Sequence, residues 1–176
     1  MSAVASGQRE PSRDSSDQLK GANVLFLLFH LGEERYALDT GQIAEVLPLV
    51  GIRQIPHAPH AVAGVLNHRG APVPVIDLCQ LTMGRPAQRR LDTRIVVVHH
   101  CGDNGTTRLL GLIAERATET LRLDAAGFNP SGITNAATPF LGPVTTHARG
   151  LVQRIEVNQL LPPSLRDLLF RQPLEP

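Results

Sequence analysis

Apolar residues in this chain come in short runs, and turn-forming residues interrupt them at close intervals, the pattern of many brief strands. Val24 to Leu31 (VLFLLFHL) predicts a strand, Gly32-Glu33-Glu34 a turn, and Arg35 to Leu38 a returning strand. Asp39 or Thr40 then suits the cap of one helical turn before Ile43. Beyond it, Ala44 to Val50 is interrupted by Pro48, and Ile52 to Ile55 predicts a short strand. The Val-rich stretch Ile95 to Cys101, the turn Gly102 to Gly105 (GDNG) and the stretch Arg108 to Ala114 predict a further hairpin.

The most constrained segment is Gly64 to Leu78, GVLNHRGAPVPVIDL. Asn67-His68-Arg69-Gly70 reads as a tight turn in which Asn and Gly tolerate positive φ. In the strand that follows, amides two residues apart point the same way, so Pro72 and Pro74 strip the donors from one flank, which is expected at a sheet edge. Pro72, Pro74, Ile76 and Leu78 share one face, while Ala71, Val73 and Val75 share the other. Both faces are apolar, so this strand should lie between two packed layers. Asp77 suits the N-cap of a short helix through Leu78, Gln80 and Leu81. Near the end, Pro163 or Ser164 starts a helix with Leu165, Leu168 and Leu169 on one face.

Two echoes suggest an internal duplication. Ile43-Ala44-Glu45 recurs as Ile113-Ala114-Glu115, each after a hairpin, and Arg69-Gly70 with Asp77 is echoed by Arg149-Gly150 with Asn158. Gly127 to Pro143 reads as the loop that lengthens the second copy. Many short strands with only brief helical corners imply an all-β fold of two similar small barrels sharing an apolar layer, rather than a parallel sheet. Residues 1–23, rich in Ser and charge, read as a disordered leader; 24–170 as one domain of two intertwined barrels, the second beginning near 93; and 171–176 as a flexible tail.

Composition narrows the function. Aromatic residues are 3% of the chain, with no Trp, and the formal net charge is +1, so neither stacking platforms nor a strong field point to nucleic acid or anionic lipid. Cys79 and Cys101 stand in no metal-like spacing and read as reduced thiols. The run VLFLLF is far too short to cross a bilayer, so no direct membrane insertion is expected.

The run G-x-x-N-x-R-G-x-x-x-P-x-x-D-L, met here by Gly64, Asn67, Arg69, Gly70, Pro74, Asp77 and Leu78, resembles the signature of CheW-like domains, the adaptors of bacterial chemosensory arrays. The resemblance spans roughly Val24 to Phe170, including RGLVQRIEVNQLL near the end. It implies an all-β fold with short helices: two five-stranded SH3-like β-barrel subdomains packed around a shared core. It also implies a non-enzymatic, cytoplasmic scaffold without cofactor, recruited beneath the inner membrane. Its partners would be a chemoreceptor cytoplasmic tip and the regulatory domain of a CheA-type histidine kinase, assembled in an array. The segments LGPV and GLVQRI suggest the branch serving surface-sensing (Wsp-type) pathways that act through cyclic-di-GMP.

By the same resemblance, Glu45 and Arg69 face each other near the receptor-binding surface, and Ile43, Gly64, Ala117 and Thr120 fall where the family meets receptors. Two departures stand out: Thr120 is less apolar than such a groove wants, and Arg116 stands where relatives often carry glycine. From the residues alone, Gly64 equally suits a plain turn or a close backbone approach. Leu110 and Gly111 are candidates for the kinase-facing side, with a buried strand the favoured alternative. His57, His60, His99, His100 and Cys101 invite a metal reading, but adjacent strand residues point to opposite faces, so no metal is expected. The basic run Arg85, Arg89, Arg90 and Arg94 reads as a solvated loop, with a small β-barrel nucleic-acid module as the alternative of another class.

Overall fold

The computed structural model describes residues 21–133 and 135–170, so the expected tail and nearly all of the expected leader lie outside the described residues. The strands are β1 (Asn23–Leu31), β2 (Glu34–Asp39), β3 (Ile43–Pro48), β4 (Val62–His68), β5 (Ala71–Asp77), β6 (Arg94–Cys101), β7 (Thr107–Asp124), β8 (Leu141–His147) and β9 (Gly150–Ile155). Two short helices accompany them, α1 (Leu78–Met83) and α2 (Pro163–Phe170). Asp39 caps the turn Thr40–Gln42 by accepting from the Gly41 N–H at 2.8 Å, and Asp77 caps α1 by accepting from the Gln80 N–H at 3.1 Å.

Strand β7 runs for 18 residues and belongs to both halves. Its first part pairs with β6, and through Gly111–Ile113 with β5; from Glu115 onward it pairs with β1. One half is therefore β3, β6, the start of β7, β5 and β4; the other is the end of β7, β1, β2, β9 and β8. Each contains five strands and one parallel pair, β5 with β7 and β2 with β9, which supports the internal repeat. The two Ile-Ala-Glu strings sit at corresponding points, each where the chain passes from one barrel into the other.

The pairing does not divide the chain near 93. The chain leaves the first barrel after β2, builds the second from Ile43 to Ala114, and returns along β7. Each barrel thus takes a strand fed from the other's hairpin.

Three apolar clusters fill the molecule. Phe26, Leu28, Ala37, Leu123 and Val152 fill one barrel, and Leu66, Val75, Ile95, Val97 and Ile113 fill the other. A larger cluster including Leu27, Phe29, Leu38, Ile76, Val96, Val98, Leu110 and Leu112 joins them. Successive residues of β1, β5 and β6 enter different clusters, which is why these strands carry no polar alternation.

The proline-bearing strand is an edge for only part of its length. Val65 opposes Pro74, yet the Val65 N–H and C=O are both spent on Arg53, at 2.8 and 3.0 Å, so the proline's missing donor is never required. Beyond Pro74, Val75–Asp77 pair with β7 and the strand becomes central. The segment Ile52 to Ile55 forms a single bridge through Arg53 instead of a strand. Leu168, expected on the buried face of α2, is half exposed, while Leu165 is buried. Asn158 does not cap a helix; its side chain accepts from the Cys101 N–H at 2.9 Å.

Candidate partner-binding site

The β4–β5 turn is a two-residue connection closed by the His68–Ala71 pair. Arg69 (φ +52°) and Gly70 (φ +87°) both occupy the left-handed region, as a turn matching the right-handed twist of the strands requires. Asn67 does not carry the positive φ expected of it. Its side-chain oxygen accepts from the Gly70 N–H at 2.9 Å, and the strained residue is Arg69, at a backbone cost of about 1–2 kcal/mol. That conformation aims the Arg69 side chain back across the turn toward β3.

There Glu45 receives it. Glu45 Oε2 accepts from Arg69 Nη2 at 3.2 Å and lies 2.7 Å from His68 Nε2. The His68 side chain is nearly enclosed (11% exposed), Glu45 is partly open (33%), and Arg69 is exposed (77%). The hydrogen bond from His68 holds the Glu45 carboxyl below its ordinary pKa; partial burial opposes this and Arg69 reinforces it. The cluster therefore keeps a charged acid at neutral pH beside an arginine whose remaining donors face outward. Sequence reading did not find His68. The alternation that sends Leu66 and His68 to one face of β4 was visible, but that Glu45 lies opposite that face was not.

The other candidates are not gathered around this pair. Ile43, two residues before Glu45, is half-buried against the shared cluster, and Thr120 is exposed opposite Leu27. Among the described residues no hydrogen bond or ion pair joins either to the Glu45 cluster. Ala117 is buried, and its N–H donates to the Asp92 carbonyl at 3.0 Å. The reason lies one residue earlier. Arg116 (φ +51°) stands at the irregular register where β7 changes sheets, turning its own side chain out and Ala117 in. A glycine would take that φ without strain.

Gly64 is also interior. A Cβ there would stand 2.2 Å from the Arg53 carbonyl oxygen, so the glycine admits the neighbouring segment. Leu110 and Gly111 are buried too, in the strand that was the favoured alternative. They lie in the middle of the second barrel, opposite Val98 and Val97, and a Cβ on Gly111 would meet Val75 Cγ2 at 3.0 Å.

The basic loop is not simply solvated. Arg85 reaches Glu115, Nη1 to Oε1 at 2.9 Å and Nη2 to Oε2 at 3.3 Å, and the Gln88 N–H donates to the same carboxylate at 2.7 Å. Asp77 takes the Ala87 N–H on its second oxygen at 2.8 Å. Two buried acids thereby pin the crossover onto the junction between barrels. Beside them the Cys79 thiol is pushed up to about 12, by burial first and then by Glu115 and Asp77. With Arg85 engaged, the loop offers less cation to a polyanion. His99 faces out and His100 is buried, as alternation requires, and no metal-binding group of three His, Cys, Asp or Glu side chains occurs among the described residues.

Comparison with known proteins adds the following. The model of the CheW-like domain family matches residues 25–163. Chemotaxis protein CheW of Helicobacter pylori is 32% identical over 124 residues, covering 70% of this chain and 72% of that protein. Protein FrzA of Myxococcus xanthus is 29% identical over 128 residues, covering 73% of each. The crystal structure of scaffolding protein TtCheW from Thermoanaerobacter tengcongensis superposes with a TM-score of 0.70 at 26% identity, covering 82% of this chain and 92% of that one.

Proposed function

The chain belongs to the CheW-like domain family, and from that premise we propose that it is a non-enzymatic adaptor joining a chemoreceptor's cytoplasmic tip to the regulatory domain of a CheA-type histidine kinase. The observation that carries this reading is the contact between Glu45 and Arg69, 24 residues apart in sequence and 3.2 Å apart in space. It is the acid–arginine pairing that the resemblance leads one to expect near the receptor surface. A half-open carboxylate beside an exposed guanidinium, held by a rigid hairpin, is suited to orienting a partner more than to chemistry.

In this role the two barrels act as a spacer of fixed geometry. A receptor helix held at one face and a kinase barrel at another have their relative placement set by the shared core, so a receptor shift changes the kinase's active population. Each contact can be weak where many copies act together in an array. No helix among the described residues is long and apolar enough to span a membrane.

The test is co-sedimentation with receptor cytoplasmic fragments and kinase, run beside a thermal melt. Arg69→Glu is expected to lose receptor coupling while keeping the wild-type melting temperature within a few degrees. A folded Arg69→Glu protein that couples normally would refute the assignment, as would turnover of a small molecule by the purified wild type.

A further inference from the structure

The turn end of the β6–β7 hairpin meets α2 in a cavity of about 380 Å³, at the small end of the roughly 300–1,000 Å³ of ligand pockets. It shares no residue with the Glu45 cluster, and the coupling role makes no use of it. His100 on β6 and Arg108 on β7 are directly opposed, so their side chains leave the sheet on one face. Arg166 and Phe170 stand four apart on α2 and share a face of that helix. All four line the cavity. The Phe170 ring ties them together, 5.7 Å from the His100 ring and 5.5 Å from the Arg108 guanidinium.

The enclosed wall holds nitrogens without partners. His100 is 1% exposed, and its Nε2 and the Nε of Arg166 are buried with no hydrogen bond among the described residues, a costly state for a donor. Arg166 spends Nη1 on Asp103 and Nη2 on the Leu161 carbonyl at 3.3 Å, which leaves Nε. Among the described residues Arg108 has no ion pair, and its guanidinium rests on the Phe170 ring instead. Burial and Arg166 keep His100 neutral at pH 7. Asp103 and Asp167 also line the cavity, but both are exposed, and Asp103 is already engaged by Arg166. Three nitrogen-bearing side chains thus converge where no acceptor meets them.

We propose that this cavity is a binding site for a small anion bearing a carboxylate or phosphate group. Arg108 supplies the unbalanced charge, and its planar fork, held over an aromatic ring, can present two donors to two oxygens at once. Arg166 Nε–H and His100, in the tautomer that carries its proton on Nε2, serve the remaining lone pairs. The two acids stand in water, so they oppose the anion less than the more enclosed arginines attract it. The site needs neither receptor nor kinase and does not depend on the adaptor reading.

The experiment is titration of the full chain with inorganic phosphate, acetate and succinate in turn, at constant ionic strength made up with chloride, followed by calorimetry and by NMR of the histidine rings. At least one of the three is expected to saturate a single site with millimolar or tighter affinity, moving the His100 ring signals while those of His68 stay in place. Arg108→Gln is expected to melt as wild type does and to bind that anion about tenfold more weakly or worse. Saturation by phosphate alone, or by the carboxylates alone, would support the site and name its anionic group. Failure of all three to saturate, saturation that leaves His100 unmoved, or a folded Arg108→Gln protein that binds as wild type would overturn the inference. Should that variant not fold, the His100 signals of the wild type decide the question by themselves.

Discussion

Arg85 and Glu115, 30 residues apart, form a two-pronged ion pair that holds the crossover against the point where β7 passes between barrels. Burial pushes the Glu115 carboxyl up, but the hydrogen bonds from Arg85 and from the Gln88 N–H outweigh it, so its pKa in the fold is lowered. A lowered folded value contributes stability that is complete above the unfolded value of 4.5 and is lost as pH falls through the folded one. Glu115→Gln is therefore expected to melt lower than wild type at pH 7 and to show a shallower loss between pH 5 and 3. Melting curves at half-unit pH steps check both, and superimposable curves would show that the pair holds nothing.

Gly64 and Gly70 separate two costs that both depend on having no side chain. At Gly70 (φ +87°) a Cβ meets nothing within 4 Å, so Gly70→Ala is expected to lose about 1–2 kcal/mol of backbone preference alone. At Gly64 (φ +141°) the Cβ would also strike the Arg53 carbonyl oxygen and Ile52 Cγ2, so Gly64→Ala is expected to cost a further ~1–3 kcal/mol. Urea midpoints for the two variants give the comparison. Equal destabilisation would mean the Arg53 segment yields freely.

What could be read from residues alone was what neighbouring residues decide. The turn at Asn67–Gly70, the cap at Asp77 and the two-faced run of β5 each announce themselves within a few positions, and the apolar layer shared by the barrels follows from the last of them. The passage of β7 between barrels does not, because LIAERATET holds no Gly, Pro or turn-forming pair to mark the switch. The positive φ at Arg116 is invisible in a residue type that rarely adopts it. The same switch buries Ala117, expected in a groove, and leaves Thr120 exposed. His68 was missed because its partner arrives from another strand, 23 residues away, through a pairing that no local pattern encodes.

Exchanging the charges of Glu45 and Arg69 separates folding from recognition. The double variant Glu45→Arg with Arg69→Glu restores an opposite-charge pair across the turn, so its melting temperature is expected to recover toward wild type relative to either single change. Receptor coupling is expected to stay low, because the exposed side of the pair then presents an acid. Recovery of both would mean that the pair acts only by stabilising the hairpin.

The two cysteines differ in reactivity for reasons visible in their surroundings. Cys79 is buried beside two acids with its thiol raised to about 12, whereas Cys101 is exposed at the end of β6. An aromatic disulfide reagent at pH 8 is expected to titrate one thiol in the native protein and both after denaturation. Rapid reaction of both in the native state would mean that the junction between the barrels opens readily.

His100 and His30 place a second acid-sensitive step above that of the carboxylates. His100 is 1% exposed, its ring 5.7 Å from that of Phe170. Burial lowers its pKa, Arg166 lowers it further, and Asp103 partly opposes them. His30 is lowered in the same direction, by burial and then by Arg116 and Arg35, against Glu33 and Glu119. Since both folded values lie below 6.5, the unfolded chain takes up these protons first. Their contribution is whole above about pH 6.5 and is lost as pH falls through the folded values, at about 1.4 kcal/mol for each unit of separation. Stability is thus expected to begin falling below about pH 6.5, ahead of the loss that Glu115 governs. His100→Phe keeps an aromatic ring beside Phe170 and removes the titrating group, so its curve is expected to be flatter than wild type as pH falls below 6.5. Chemical denaturation across that range decides the matter: an unchanged slope in His100→Phe would assign the upper step to His30 alone, and a wild type equally stable at pH 7 and 5 would remove the step altogether.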